Sequence, residues 1–316
     1  MPRHLRFQSH SWATHHVTSR CLRGFAFLKP TPQIKAICAG TLAYSLDTYK
    51  DRVELHHLAF LSNHLHLLVS TAEANDLARF MCHFKSNLAR ELCKVHGWSD
   101  VLWEGRYFSE EILDEEALRD IFKYITQNSV KEGLVAHPSE WGGLHGYHHL
   151  IEGKPLIGPW VNRSKLNASK KLKNPLKEAD VTTMYHVELT PPPMWAEMSR
   201  EDYQALCQGL SEEAIKEAQA LCKKKAPMGM KRVLAQRVIK ARKVKGGKGG
   251  KRPLCRASCL ERFKAYLQEY FEFRELFLKA SAELRAAVHS SAESVCVCFP
   301  YGGVPLFGGE VLPAPS

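Results

Sequence analysis

No run in the 316-residue chain approaches the ~18 consecutive apolar residues of a membrane-spanning helix, so no span is expected. The opening Met1-Pro2-Arg3-His4-Leu5-Arg6 has no apolar segment behind it, which argues against a secretory signal. There is no Gly-x-x-x-x-Gly-Lys-Ser/Thr, so a fused helicase is not expected. No internal repeat is visible. Acidic residues are in deficit, with 33 Asp+Glu against 44 Lys+Arg and a formal net charge of +11. A basic surplus of that size favours a polyanionic partner. Cysteine is not scarce, but the ten cysteines are scattered through apparent helices and strands, with Cys82 and Cys93 in one helical pattern. Cys255-x-x-x-Cys259 and Cys296-x-Cys298 each offer half of a zinc site, and neither has a tight second half. A reduced, cytoplasmic chain follows.

At 45% hydrophobic residues there is enough apolar surface for a sizeable core, and the length suits one compact domain plus an extension, or two domains. Thr14 to Cys21 reads as a strand, and Ile34 to Tyr49 as a helix opened by Thr31-Pro32. Val53 to Leu61 and His64 to Ser70 read as two strands joined tightly at Ser62-Asn63. Asn75 or Asp76 should cap the next helix, whose stripe is Leu77, Phe80, Met81, Phe84, Leu88 and Leu92. Val101 to Ile112 is extended and partly stranded, and Glu115 to Lys131 is a helix capped by Asp114. Strand, helix, strand, strand, helix, strand, helix is the split βαβ order of a ferredoxin-like α+β domain, an antiparallel sheet with packed helices. The division expected is a domain over 10–160 and a basic, mostly helical extension over 161–316. In the extension, Ser164 to Lys177 reads as a polar connector, and Glu201 to Lys224 and Leu260 to Val288 as helices. The segment Lys231 to Arg252 crowds lysine and glycine and cannot bury a core, which suits contact with phosphates rather than chemistry.

Within Asn63-His64-Leu65-His66-Leu67-Leu68-Val69, residues two apart share a face of a strand. His64 and His66 therefore project together, opposite Leu65, Leu67 and Val69. Alone, the pair reads first as two histidines on a sheet face and second as a two-imidazole metal site. In the helix of Ile121-Phe122-Lys123-Tyr124-Ile125-Thr126-Gln127-Asn128, Tyr124 lies at the edge of the apolar face, with Asn128 one turn on. Jointly, two imidazoles and an amide oxygen can hold a divalent cation with a phenol beside it.

These segments resemble a known family. Asn63-His64-Leu65-His66-Leu67-Leu68 is similar to the His-hydrophobe-His motif of the HUH single-tyrosine transposases. Tyr124-Ile125-Thr126-Gln127-Asn128-Ser129-Val130-Lys131-Glu132-Gly133-Leu134-Val135 resembles their Tyr-Ile-x-x-Asn-Pro-Val-x-x-Gly-Leu-Val segment, with Ser129 in place of proline. His16-Val17-Thr18-Ser19-Arg20 and Leu102-Trp103-Glu104-Gly105-Arg106-Tyr107 also fit, and the REP-associated tyrosine transposases look nearest. The resemblance implies an HUH nuclease fold and a Mg²⁺ or Mn²⁺ cofactor held by His64, His66 and Asn128. It implies Tyr124 as nucleophile and cleavage of single-stranded DNA near hairpins such as REP-like palindromes.

A free phenol has a pKa near ~10, so attack on phosphate needs help from a bound cation. The expected product is a 5′-phosphotyrosyl protein with a free 3′-hydroxyl, which a second 3′-hydroxyl can resolve. Tyr107 is the rival nucleophile, although its aromatic-rich setting suits stacking on bases. Arg20, Arg23, Lys85, Arg90, Arg106 and Tyr107 are the expected DNA contacts. A monomer or homodimer, cytoplasmic and nucleoid-associated, is expected. Two other functions fit less well: a non-catalytic hairpin-binding protein that has lost mobility, and a replication initiator or relaxase.

Overall fold

The computed structural model describes residues 5–222, 226–239, 254–289 and 299–300. The first half runs β1 (Ala13–Arg20), α1 (Pro32–Thr48), β2 (Val53–Phe60), β3 (His64–Thr71), α2 (Ala74–His96), β4 (Phe108–Ile112) and α3 (Glu115–Lys131). The second runs α4 (Tyr147–Glu152), β5 (Leu156–Val161), α5 (Arg163–Ser169), β6 (Thr182–Val187), α6 (Arg200–Cys222), α7 (Met230–Ala235), β7 (Cys255–Arg256) and α8 (Leu260–His289).

Local chemistry sets the helix ends. The Thr31 hydroxyl accepts from the Ile34 amide and Pro32 opens α1, as expected. Asp114 caps α3 by accepting from Ala117 N–H at 2.9 Å. For α2 the expected cap is corrected: Asn75 and Asp76 lie inside the helix, and Glu73 is the cap. Asp76 stands at the third helical position and accepts from the Glu73 N–H, the reciprocal half of a capping box. Gly97, at φ 58°, ends α2 in the left-handed region that glycine enters without a Cβ penalty.

The main sheet has the order β2-β3-β1-β4-β7. Its first four strands pair antiparallel, and α1 and α2 are the two crossovers, which is the ferredoxin-like arrangement. One face of the sheet gives Val17, Leu65, Leu67 and Val69 to a core with Leu42 of α1 and Phe80, Phe84 and Leu88 of α2. The other gives Ala59, Leu68 and Ile112 to a second core with Leu118, Ile121, Phe122 and Ile125 of α3 and Tyr203, Cys207 and Leu210 of α6. The period of two along β3 therefore sends Leu65, Leu67 and Val69 to α1 and α2, and His64, His66 and Leu68 to the α3 side.

The second half is joined to this frame in three places. β5 pairs with β6 and packs on α1 with backbone in contact: a Cβ added to Gly40 would lie 1.7 Å from the Pro159 carbonyl oxygen. α6 covers α3, and β7 adds to β4 in parallel. Residue 160 falls inside β5, whose partner strand lies beyond it. The polar connector is not wholly irregular, because Asn162 accepts from Lys165 N–H and opens α5. Of Lys231 to Arg252, α7 takes the first residues, while 240–252 lie outside the described residues, as does the tail beyond 300.

Candidate metal and nucleophile site

The second core leaves a polar lane between the sheet and α3. The His64 and His66 ring centroids are 5.0 Å apart with planes at 84°. The Tyr124 ring lies 5.3 Å from His66 at 83°. Asn128, buried on the next turn of α3, sits beside the phenol. The four residues expected at the site are thus brought to one place by β3 and α3. His64 is half-buried and its Nδ1 meets the Asn63 side-chain oxygen at 2.8 Å. His66 is 4% exposed. Burial, reinforced by His16, His64 and Arg20, holds its pKa well below the ordinary 6.5, so the imidazole is neutral at physiological pH.

Two buried atoms here have no hydrogen-bond partner, His66 Nε2 and Asn128 Nδ2. Such orphans are costly unless something else takes them up: a cation can answer the imidazole nitrogen, whereas the amide N–H needs an acceptor. A lone pair on buried imidazole nitrogen next to a second imidazole and an amide fits a divalent cation. Two imidazole nitrogens and one amide oxygen leave positions open for water and phosphate. Among the described residues, no group of three or more His, Cys, Asp and Glu forms a metal cage, so the amide is needed to complete the set.

The phenol is not pre-ionised. Burial raises the Tyr124 pKa, Glu132 adds to the rise, and the Asn128 amide acts in the opposite sense without completing a hydrogen bond of normal geometry. Arg256 also lowers it and Glu110 raises it. Lys131 stands with Nζ 5.2 Å from the ring centroid, one further cation near the place where negative charge would develop.

Tyr107 is elsewhere. It packs against the α1/α2 core, on the sheet face away from the histidines. It lines a groove between α2 and the 98–107 segment with Lys85, Arg90, Trp98, Trp103 and Arg106. Arg90 and Arg106 are exposed, and the Arg106 guanidinium lies 5.5 Å from the Tyr107 ring. Lys85 differs from them: it is buried, donates to the Gly105 carbonyl at 2.9 Å, and burial pulls its pKa down to about 8. Arg20 is exposed and pairs in register with His64, beside the site, and Arg23 is exposed on the turn after β1.

Sequence reasoning gave no role in the site to three neighbours, although His16 lies in one of the segments that carry the resemblance. His16 Nε2 lies 3.0 Å from His66 Nδ1, His16 Nδ1 lies 2.8 Å from Glu110, and Arg256 of β7 lies 3.5 Å from the same Glu110 oxygen. His16 and Thr18 alternate on β1 as His64 and His66 do on β3, which is a usable signal. Nothing in the sequence brings Arg256 next to Glu110, from 146 positions away.

Residues 37–128 match the family model of IS200-like transposases, a stretch that holds His64, His66, Tyr124 and Asn128. The resemblance read from the motifs is borne out over that stretch. Among solved structures, the chain is similar to a REP-associated tyrosine transposase bound to a REP hairpin. Identity is 21% over 48% of this chain and 86% of that one, with a TM-score of 0.39. It is also similar to a candidate transposase from Deinococcus radiodurans R1, at 16% identity over 38% of this chain and 95% of that one, with a TM-score of 0.29. No curated protein matches the chain.

Proposed function

We propose that the protein is a single-stranded DNA strand transferase that cuts beside hairpins, with Tyr124 as nucleophile and a Mg²⁺ or Mn²⁺ ion held by His64, His66 and Asn128. The observation that carries this reading is the convergence of the β3 histidine pair with the α3 tyrosine and asparagine on one buried lane. The family match over residues 37–128 supports the reaction class. When bound, the ion would supply charge neutralisation on the scissile phosphate.

The chain's own groups do the rest. The Tyr124 oxygen attacks phosphorus, the phenol proton leaves to solvent or a nearby base, and the 3′-oxygen departs and takes up a proton. The phosphotyrosine bond conserves the energy of the bond broken, so a second 3′-hydroxyl can reverse the step and join strands. Burial excludes competing water and makes each fixed charge count for more. Arg20 beside the histidines, and Arg90 and Arg106 at the aromatic groove, are the proposed phosphate contacts. Tyr107 and Trp103 are suited to stacking on unpaired bases. Residues 10–160 are proposed to carry the nuclease site and 161–316 to form the basic extension, whose α6 completes the core behind α3. The acting unit would be a monomer or homodimer working on the nucleoid. No helix among the described residues is long and apolar enough to cross a membrane.

The test is incubation with a library of single-stranded hairpins and Mn²⁺, followed by denaturing electrophoresis for covalent protein–DNA adducts. Tyr124→Phe removes one hydroxyl and is expected to abolish the adduct while hairpin binding persists. An adduct formed by the Phe variant would assign the nucleophile to another residue. Binding without any adduct in the wild type would leave a hairpin-binding protein instead.

A further inference from the structure

The lane between sheet and α3 continues beyond the proposed ligands. Cross-strand register places Glu110 of β4 directly opposite His16 of β1, and His16 opposite Leu68, one same-face step from His66. The side chains follow that geometry as an unbroken chain. The Glu110 carboxylate meets His16 Nδ1 at 2.8 Å, and His16 Nε2 meets His66 Nδ1 at 3.0 Å. The two imidazole planes are nearly parallel, at 10°, with 5.3 Å between centroids, as an edge-to-edge hydrogen bond requires. His16, His66 and Glu110 are all buried, at 4%, 4% and 3% exposure.

We propose that Glu110 and His16 are positioning residues that lock His66 in the Nδ1–H tautomer, so that its Nε2 lone pair faces the metal position. The argument is one of donors and acceptors. A carboxylate can only accept, so His16 Nδ1 carries the proton. His16 then presents its Nε2 lone pair to His66, 3.0 Å away, and accepts from His66 Nδ1–H. The remaining nitrogen of His66 is Nε2, the buried atom with no protein partner. The reverse assignment would place an N–H there, a buried donor bonded to nothing, at a cost of about 1–3 kcal/mol. Fixing the tautomer through the other ring nitrogen is the general way a protein orients an imidazole ligand. Here the fixing group is itself an imidazole, in turn fixed by a carboxylate one strand further on. Arg256 closes the row by setting a cation against the same Glu110 oxygen, so the buried carboxylate is charge-compensated.

The proposal rests on His66 being a metal ligand, and its test separates the two ideas. Histidine ¹⁵N spectra of the metal-free full-length protein report each tautomer directly. His66 is expected as Nδ1–H in the wild type. His16→Leu, which removes the acceptor, should shift His66 towards Nε2–H and weaken Mn²⁺ binding in calorimetry by about 10–100-fold. His16→Gln, whose amide oxygen can still accept, should restore most of that affinity. A wild-type His66 protonated on Nε2 would overturn the proposal without recourse to any variant. A folded His16→Leu protein with unchanged tautomer and Mn²⁺ affinity would overturn it as well. If His66 is Nδ1–H yet Mn²⁺ does not bind, the relay stands and the metal reading of the site fails.

Discussion

Cutting the chain at residue 160 should unfold the nuclease half, not release it. The perturbation strips α6 and the Trp195 turn from α3. Trp195, Tyr203, Leu210 and Ile215 are buried, at 1%, 6%, 5% and 7% exposure. At about 1.5–3 kcal/mol for each large apolar side chain, their burial is worth roughly 6–12 kcal/mol, an upper figure because unfolded chains already bury some of it. That is comparable to the ~5–15 kcal/mol that holds a whole domain. The same cut removes β6, leaving β5 without its partner strand. Residues 1–160 are therefore expected to lack a cooperative melt and to be degraded rapidly in limited proteolysis. A chain ending at 239 keeps α6 and α7 and should melt cooperatively. The assay is circular dichroism against temperature on the three lengths. A 1–160 fragment melting within a few degrees of the full chain would refute the idea that α6 is part of the nuclease core.

The remaining expectations are smaller in scope. His64→Ala and His66→Ala should each remove Mn²⁺-dependent cleavage and lower Mn²⁺ affinity strongly in calorimetry, whereas Asn128→Ala should be milder because water replaces an amide oxygen readily; unchanged affinity in the histidine variants would return the pair to a purely structural role. Burial raises the Glu111 pKa from 4.5 to about 7, against hydrogen bonds from Ser9 and Tyr266. The folded state thus holds the extra proton, so wild-type stability falls between pH 4.5 and about 7 and is level above. Glu111→Gln should therefore gain on the wild type across that window, by up to about 3 kcal/mol in denaturant titrations at neutral pH, and a difference independent of pH would sink the assignment. Replacing Lys240, Lys243, Lys245, Lys248 and Lys251 by Gln in the full chain should weaken DNA binding and flatten its salt dependence, by about 0.7 log units per log salt for each single-strand phosphate no longer neutralised; an identical slope would mean these lysines do not touch DNA.

The elements that the sequence made legible are those whose cause is local. The β3 histidines were separable from Leu65, Leu67 and Val69 because alternation along a strand needs no partner to be read. Tyr124 and Asn128 were placed together because one helical turn is a fixed distance. The α2 cap was misplaced by two or three residues for a related reason. A capping box can be opened by Glu73 with Asp76 answering it, although glutamate is a rarer cap than the Asn75 and Asp76 that follow. Where two adjacent residues both have the right chemistry, backbone geometry decides between them.

What escaped the sequence is what depends on distance along the chain. The polar lane needs β4 to lie beside β1 and β1 beside β3, so Glu110, His16 and His66 become neighbours only once register is set. The extension escaped for the same reason. Its lysines and glycines gave it the look of an appendage, yet α6 shares a core with α3, and β6 pairs with β5, which is itself fitted closely to α1. A Cβ on Gly158 would lie 2.2 Å from the Gly40 nitrogen, an approach that only two glycines allow. Arg256 makes the functional side of the same point. A residue from the last described strand stands at the charged end of the row that orients His66. The chemistry proposed for the first half thus draws on the second, through one parallel pairing two residues long. Changes that loosen β7 from β4 should accordingly be felt at the histidines, because they part Arg256 from the Glu110 carboxylate that holds His16.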